Sequence, residues 1–311
     1  MPLFHQIRKS ANKVLAPLGL ALERVNRQPW FLTPVVNVQV GRFSIQMPAN
    51  SPLPAHYRKH PDYTAFLARL AALVKGKYPA AAALDIGANV GDTASIIRSG
   101  ADLPLLCIEG DDLTFRFLER NLRQFPHAAA HKLFLAEKSE ALSLSQDKSG
   151  WNTTLIPDQG AHARKINLVS LDDFLGAQPA APDYKLLKID TEGFDCSIIR
   201  GAKNYIGRTR PVLSFEYNRD NMSALGEKGL DTLNLLQQLG YAEMALHDCE
   251  GRFFDAVALA DEKFVRNIHD YADGKNAAVY YFDFTLFHEQ DRDLALAFAA
   301  GERTQRTTQS G

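Results

Sequence analysis

Residues 84–92 read LDIGANVGD, a glycine-bracketed turn between a short apolar run and a helical pattern. Gly87 permits a sharp turn and Gly91 permits close approach of a ligand or a neighbouring backbone, while the first turn of the following helix offers unsatisfied N–H groups. Eighteen residues after Gly91, Glu109 closes a second apolar run, LLCIEG. A carboxylate at that offset, at the end of the second strand of a doubly wound sheet, can accept both hydrogen bonds of a ribose diol. Together these residues point to an adenosine-containing ligand.

The loop narrows the choice of ligand. A dinucleotide pyrophosphate favours GxGxxG, but here the spacing is Gly87-Ala-Asn-Val-Gly91, and no Gly-Lys-Ser/Thr follows as in a P-loop. Asp85 and Asn89 put polar groups, one of them an anion, where a phosphate would be repelled. A cationic ligand with an amino-acid tail suits them better, and S-adenosylmethionine, with its ammonium and sulfonium, has that character.

Such a site needs parallel strands whose carboxyl ends share a rim. The runs at 83–86, 105–109, 133–136, 186–190 and 212–217 are brief and apolar, as strands covered on both faces are. Helical patterns at 93–98, 113–125, 195–201 and 230–239 alternate with them, which predicts a doubly wound α/β domain with its ligand beyond the strand ends. The runs at 241–247 and 279–287, with no clear helix between them, predict an antiparallel pair at a sheet edge. The main domain spans 61–290, opening with a helical stripe at Phe66, Leu67, Leu70, Leu73 and Val74. Residues 1–60 form an N-terminal extension with a basic amphipathic helix and a strand pair around Gly41, and residues 291–311 form a C-terminal tail whose polar end, ERTQRTTQSG, reads as disordered.

Composition excludes several classes. Of 311 residues 46% are hydrophobic, enough for a sizeable core, and 35 Lys plus Arg against 36 Asp plus Glu leave a charge of −1, so no global positive field collects nucleic acid. Three widely spaced cysteines fit reduced thiols in the cytoplasm, with neither a disulfide framework nor a zinc pattern. Charged residues interrupt every apolar stretch below the ~18 residues of a spanning helix. The segment LAPLGLAL is followed by Glu23, Arg24 and Arg27 rather than a cleavage site, so residues 1–16 read as a helix docked on its own domain or lying peripherally on an anionic membrane.

In order, DIGANVGDTA, IEGDD, VSLDDFL, LLKIDTEGFDCSIIRGA and RPVLSFEYN resemble the FkbM-like family of S-adenosylmethionine-dependent methyltransferases over about residues 80–290. The resemblance implies a class I methyltransferase (Rossmann-like) fold, mostly parallel with an antiparallel last strand, and methylation of a hydroxyl on a sugar, polysaccharide or natural product. It implies that Asp85, Gly87, Asn89 and Gly91 form the cofactor loop, that Glu109 holds the ribose, and that Glu137 in AEKS contacts adenine.

The second candidate stretch, KIDTEG at residues 188–193, then gains a role. Methyl transfer is an in-line displacement that must align an acceptor oxygen and remove its proton. Asp190, Glu192 and, ending the next strand, Glu216 are the candidate bases. They have simpler readings too: Asp190 as a helix cap, Glu216 as a partner of Lys188 or Arg219. The three carboxylates could also hold Mg²⁺, although no ligand spacing requires a metal. His131 and His247 offer imidazole alternatives, Trp151 and Asn152 a loop shaping the acceptor pocket, and Tyr57, Arg58 and His60 a cover over it. Two competing classes remain: a nicotinamide-dependent oxidoreductase on a similar sheet, and a non-catalytic cofactor-binding protein.

Overall fold

Alternation along the short apolar strands places successive residues on opposite faces, so each strand feeds two cores. Ala83, Leu105 and Cys107 belong to one buried cluster, and Ala82, Leu84, Ile86, Leu106 and Ile108 belong to the other. The computed structural model describes residues 34–147, 154–157, 164–178, 181–272 and 279–309, and from Val35 onward they form one compact unit. The stretch 1–16, Trp151 and Asn152 lie outside the described residues.

The main sheet uses β3 (Ala82–Ile86), β4 (Leu105–Glu109), β5 (Ala128–Lys132), β10 (Tyr184–Ile189), β11 (Val212–Tyr217), β12 (Tyr241–Asp248), β13 (Phe253–Ala258) and β14 (Phe282–His288), in the spatial order β13-β12-β14-β11-β10-β3-β4-β5. Strands β5, β4, β3, β10 and β11 run parallel, and β14 inserts antiparallel between β11 and β12. This is the mostly parallel, doubly wound sheet with an antiparallel last strand that the sequence predicts. Chain order switches direction between β3 and β10, which opens a crevice at their carboxyl ends.

Other expectations change. Strand β13 and the helix Glu262–Tyr271 separate β12 from β14, and β13 extends the sheet by one edge strand. The run at 133–136 is not in this sheet; β6 (Phe134–Ala136) joins β7 (Glu140–Asp147), β8 (Thr154–Pro157) and β9 (Arg164–Ser170) in a separate sheet, and the preceding β5 takes the edge position. The strand pair in the extension is a hairpin of β1 (Val35–Val40) and β2 (Phe43–Pro48), whose Val38, Val40, Ile45 and Met47 enter the first core.

The polar C-terminal segment is helical, within Arg292–Gln309. Only its end, ERTQRTTQSG, has the composition of a disordered tail, yet Phe298 just before it packs into the first core and Glu302 within it is held by Arg69 and by His247 Nε2 at 3.2 Å. Long-range packing and ion pairing here override weak local propensity.

Candidate active site

The loop after β3 is shaped by backbone crowding. Gly87 has φ +74°, and a Cβ there would lie 1.8 Å from the Asp190 carbonyl oxygen, so glycine admits the neighbouring chain at the switch point. Gly91, φ +88°, caps the helix Asp92–Gly100 in a left-handed conformation. Asn89 between them also has positive φ, +48°, tolerable for a residue with a short polar side chain. Its N–H donates to Glu109 Oε2 at 2.9 Å, and the Asp111 N–H donates to Oε1 at 2.7 Å. The Glu109 carboxyl is thus fixed by two backbone donors, which occupy only part of its acceptor capacity. Burial pushes it up to about 7 against the opposing effect of those bonds.

Asn121 holds this loop to the hairpin. Its Nδ2 donates to the carbonyls of Val90, at 2.8 Å, and Gln46, at 2.9 Å, while its Oδ1 accepts from the Gln46 N–H at 2.8 Å. Sequence reading missed this residue because nothing in the pattern of its own helix, Asp112–Leu122, announces a partner 75 residues away.

A cavity of about 420 Å³ lies over the switch point. Gly87, Asn89, Glu109, Asp190, Glu192 and Glu216 all line it. Asp85 does not: fully buried, it accepts from Thr93 Oγ1 at 2.6 Å and lies 3.5 Å from Lys188 Nζ, so it supports the loop from below. Glu137 is also absent from the lining. Arg200 holds it at 2.7 Å. Tyr57, too, is diverted, its hydroxyl donating to Asp92 Oδ2 at 2.7 Å; His56 and Tyr63 line the cavity from that segment instead. His247 is buried against Phe66 and Glu302, away from the cavity, and His131 is exposed on β5.

At the opposite rim, Lys188 Nζ lies 3.4 Å from Asp190 Oδ2. Burial works against this ammonium, but Asp190, Asp85 and Asp92 outweigh it and raise its pKa, so it stays charged. The turn after Asp190 is tied by Asp195, whose Oδ2 accepts from the Thr191 hydroxyl at 3.2 Å and the Gly193 N–H at 3.3 Å. The helix that follows, Asp195–Arg200, has no side-chain cap, so Asp190 does not cap it. Glu192 stands in the left-handed region at φ +54° and accepts from Asn221 Nδ2 at 2.9 Å. A non-glycine residue held there stores roughly 1 kcal/mol or more, and such outliers gather at functional sites.

Glu216 is only 8% exposed and pairs with neither Lys188 nor Arg219. Directly across from it on β14 is Asp283, which the sequence reading did not single out. Burial, reinforced by Asp190, raises both carboxyl groups well above the usual range. Tyr63 and Tyr281 close the upper wall with their hydroxyls 2.9 Å apart. Among the described residues, no group of three or more His, Cys, Asp or Glu side chains is arranged to hold a metal ion.

This geometry has a family. The methyltransferase FkbM domain model matches residues 85–242, about half of the chain, and the chain belongs to that methyltransferase family. Similar solved structures include the methyltransferase FkbM from Methylobacillus flagellatus, 17% identical with a TM-score of 0.40 over 58% of this chain and 43% of that one. The precorrin-6y C5,15-methyltransferase of Geobacter metallireducens is 12% identical, TM-score 0.34, over 68% of this chain and 80% of its own. TYW2 of P. horikoshii, in complex with MeSAdo, is 11% identical, TM-score 0.39, over 92% and 86%. The chain thus spans less than half the length of the FkbM structure it matches. No curated protein matches it by sequence.

Proposed function

We propose that the protein is an S-adenosylmethionine-dependent O-methyltransferase that acts on a hydroxyl of a sugar, polysaccharide or natural product. One observation carries the proposal: Glu109, fixed by two backbone N–H groups, faces the same cavity as the Asp190–Glu192–Glu216 rim. The residues fit the cofactor. Glu109 retains acceptor capacity for a ribose diol, and the cavity is lined by carboxyl groups rather than by the donors a pyrophosphate requires. When bound, the cofactor supplies an electrophilic methyl group on a sulfonium.

The rest falls to this chain's own side chains. Asp190 and Glu192 are the two rim carboxylates placed to accept the acceptor hydroxyl's proton, with Glu216, its acidity weakened by burial, lining the same cavity. Lys188 and Asn221 orient the two acceptors. Tyr63, Tyr281 and Phe134 supply apolar faces that exclude water.

The test is transfer of a methyl-tritiated label from the cofactor to a panel of hydroxylated sugars and natural products, with product identified by mass. Labelled ether product supports the proposal. Absence of cofactor binding together with tight NADH binding rejects it in favour of an oxidoreductase.

A cytoplasmic location agrees with Cys107, Cys196 and Cys249, all buried thiols. No helix among the described residues is long and apolar enough to cross a membrane. Peripheral membrane contact through residues 1–16 remains part of the proposal, tested by flotation with anionic vesicles.

A further inference from the structure

The loop that frames Glu109 has little local preference for its own shape. Gly87, Asn89 and Gly91 all have positive φ, at +74°, +48° and +88°. Glycine loses more conformational freedom on folding than other residues do, and asparagine in the left-handed region costs more again. Contacts from outside the turn must therefore hold it.

A continuous run of hydrogen bonds supplies them, through two peptide groups. Asn121 Nδ2 donates to the Val90 carbonyl at 2.8 Å. The same peptide group, through the Gly91 N–H, donates to the Ala88 carbonyl at 2.7 Å. The peptide group of that carbonyl, through the Asn89 N–H, donates to Glu109 Oε2 at 2.9 Å. Each peptide plane is thus fixed at both ends, and hydrogen bonds in such a chain polarise and strengthen one another. The orientation of the Glu109 carboxyl depends on where Asn121 places the Val90 carbonyl.

Asn121 has been given a fixed place. It is 3% exposed, and its second Nδ2 proton goes to the Gln46 carbonyl at 2.9 Å while its Oδ1 accepts the Gln46 N–H at 2.8 Å. Both amide donors are then spent, which also settles which side of the amide is oxygen. Gln46 lies on β2, and β1 pairs with the opposite edge of that strand. The Asn121 amide therefore takes up backbone groups of the hairpin edge that β1 leaves over. All three of these partners are backbone groups, so side chains in the hairpin can change without releasing the loop.

We propose that Asn121 is a positioning residue of the cofactor site: it sets the Glu109 carboxyl for the ribose through the Val90–Gly91 and Ala88–Asn89 peptide groups, and ties that setting to the β1–β2 hairpin. The inference rests on the methyltransferase reading above. Asn121 itself does not line the cavity, so its effect on the cofactor runs through the loop.

The test combines calorimetry and amide hydrogen exchange on the full chain, with S-adenosylhomocysteine as the probe. Asn121→Ala should weaken its binding by about tenfold. In a Glu109→Ala background the same substitution should change affinity by less than about twofold, because its route to the ribose ends at Glu109. Gln39→Ala, elsewhere in the hairpin, should leave affinity within about twofold. In the free protein the Asn89 amide should be protected from exchange, and Asn121→Ala should lower that protection at least about tenfold while the Leu105 amide of β4, bonded to the His127 carbonyl, keeps its own. A purely structural role would lower both amides together and would persist in the Glu109→Ala background.

The proposal is overturned if folded Asn121→Ala binds the probe as tightly as the parent, or if its loss recurs undiminished without Glu109. It is also overturned if the parent's Asn89 amide exchanges like an unprotected one, a measurement that stands even where Asn121→Ala does not fold; Asn121→Ser then replaces it in the binding series. A parent that takes up no S-adenosylhomocysteine sinks the methyltransferase reading, whereas normal uptake without coupling between Asn121 and Glu109 sinks only the role of Asn121.

Discussion

The two walls of the cavity are built by different means. The wall formed by Gly87, Asn89 and Glu109 is made of consecutive strand–turn–helix segments, its Glu109 carboxyl set by nearby backbone N–H groups and its loop held by Asn121. The facing wall draws Tyr63, Asp190, Glu192, Glu216 and Tyr281 from segments up to 218 residues apart and is held by side chains. A site set within neighbouring segments keeps its geometry as distant parts vary, whereas one assembled from distant side chains can be re-specified by substitution. The first arrangement suits a constant cofactor and the second a variable acceptor.

Substitutions on the two walls should therefore separate turnover from cofactor binding. The largest effect is expected for Asp190→Asn, which should lower turnover by about 10²–10⁴-fold while S-adenosylhomocysteine affinity changes less than about threefold. A parallel fall in both quantities, measured by single-turnover kinetics and calorimetry, would merge the walls into one unit. Gly87→Ala comes next. A Cβ 1.8 Å from the Asp190 carbonyl oxygen, at φ +74°, forces the switch point apart and should destabilise the fold by roughly 2–4 kcal/mol in urea unfolding. An unchanged midpoint would show that the two segments are not in contact.

A pH series sharpens the contrast at smaller magnitude. Glu216 and Asp283 are raised well above their ordinary values, and Asp195 to about 7, in each case first by burial. A carboxyl raised on folding binds more protons in the native state than in the unfolded one, so its stabilising effect is full below about pH 4 and is lost as pH rises through 7. Melting temperature should fall between pH 5.5 and 8, and Glu216→Gln should flatten that fall and be more stable than the parent at pH 8. A parent whose stability rises over that interval would contradict the assignment. The smallest effect belongs to Glu137→Ala. Its carboxylate is 42% exposed in the Arg200 ion pair, so the substitution should cost under about 1 kcal/mol and leave cofactor affinity within about twofold. A tenfold loss of affinity would return Glu137 to the adenine pocket.

The same division explains what the sequence disclosed. The glycine loop and Glu109 were legible because their spacing within β3, the following helix and β4 is local, and local spacing is what periodicity and turn chemistry encode. The carboxyl run at 190–192 was legible as a cluster for the same reason. Asp283 was not, because it meets Glu216 only through the antiparallel insertion of β14, a pairing no local pattern announces. Lys188 and Arg200, the ion-pair partners of Asp85 and Glu137, come from distant segments and were not legible either. The end of helix Arg292–Gln309 reads as a disordered polar segment until Arg69 and His247 meet Glu302. In each miss, a long-range ion pair or strand pairing outweighed local composition.

The most direct measurement is the calorimetric affinity of the parent and of Glu109→Ala for S-adenosylhomocysteine, with NADH as a control. The account predicts measurable binding by the parent, no binding of NADH, and a loss of about 1.5–3 kcal/mol in the variant, since a carboxylate pre-set by Asn89 and Asp111 is removed from the ribose. A parent that ignores S-adenosylhomocysteine, or a variant that binds it as tightly as the parent does, would contradict the account.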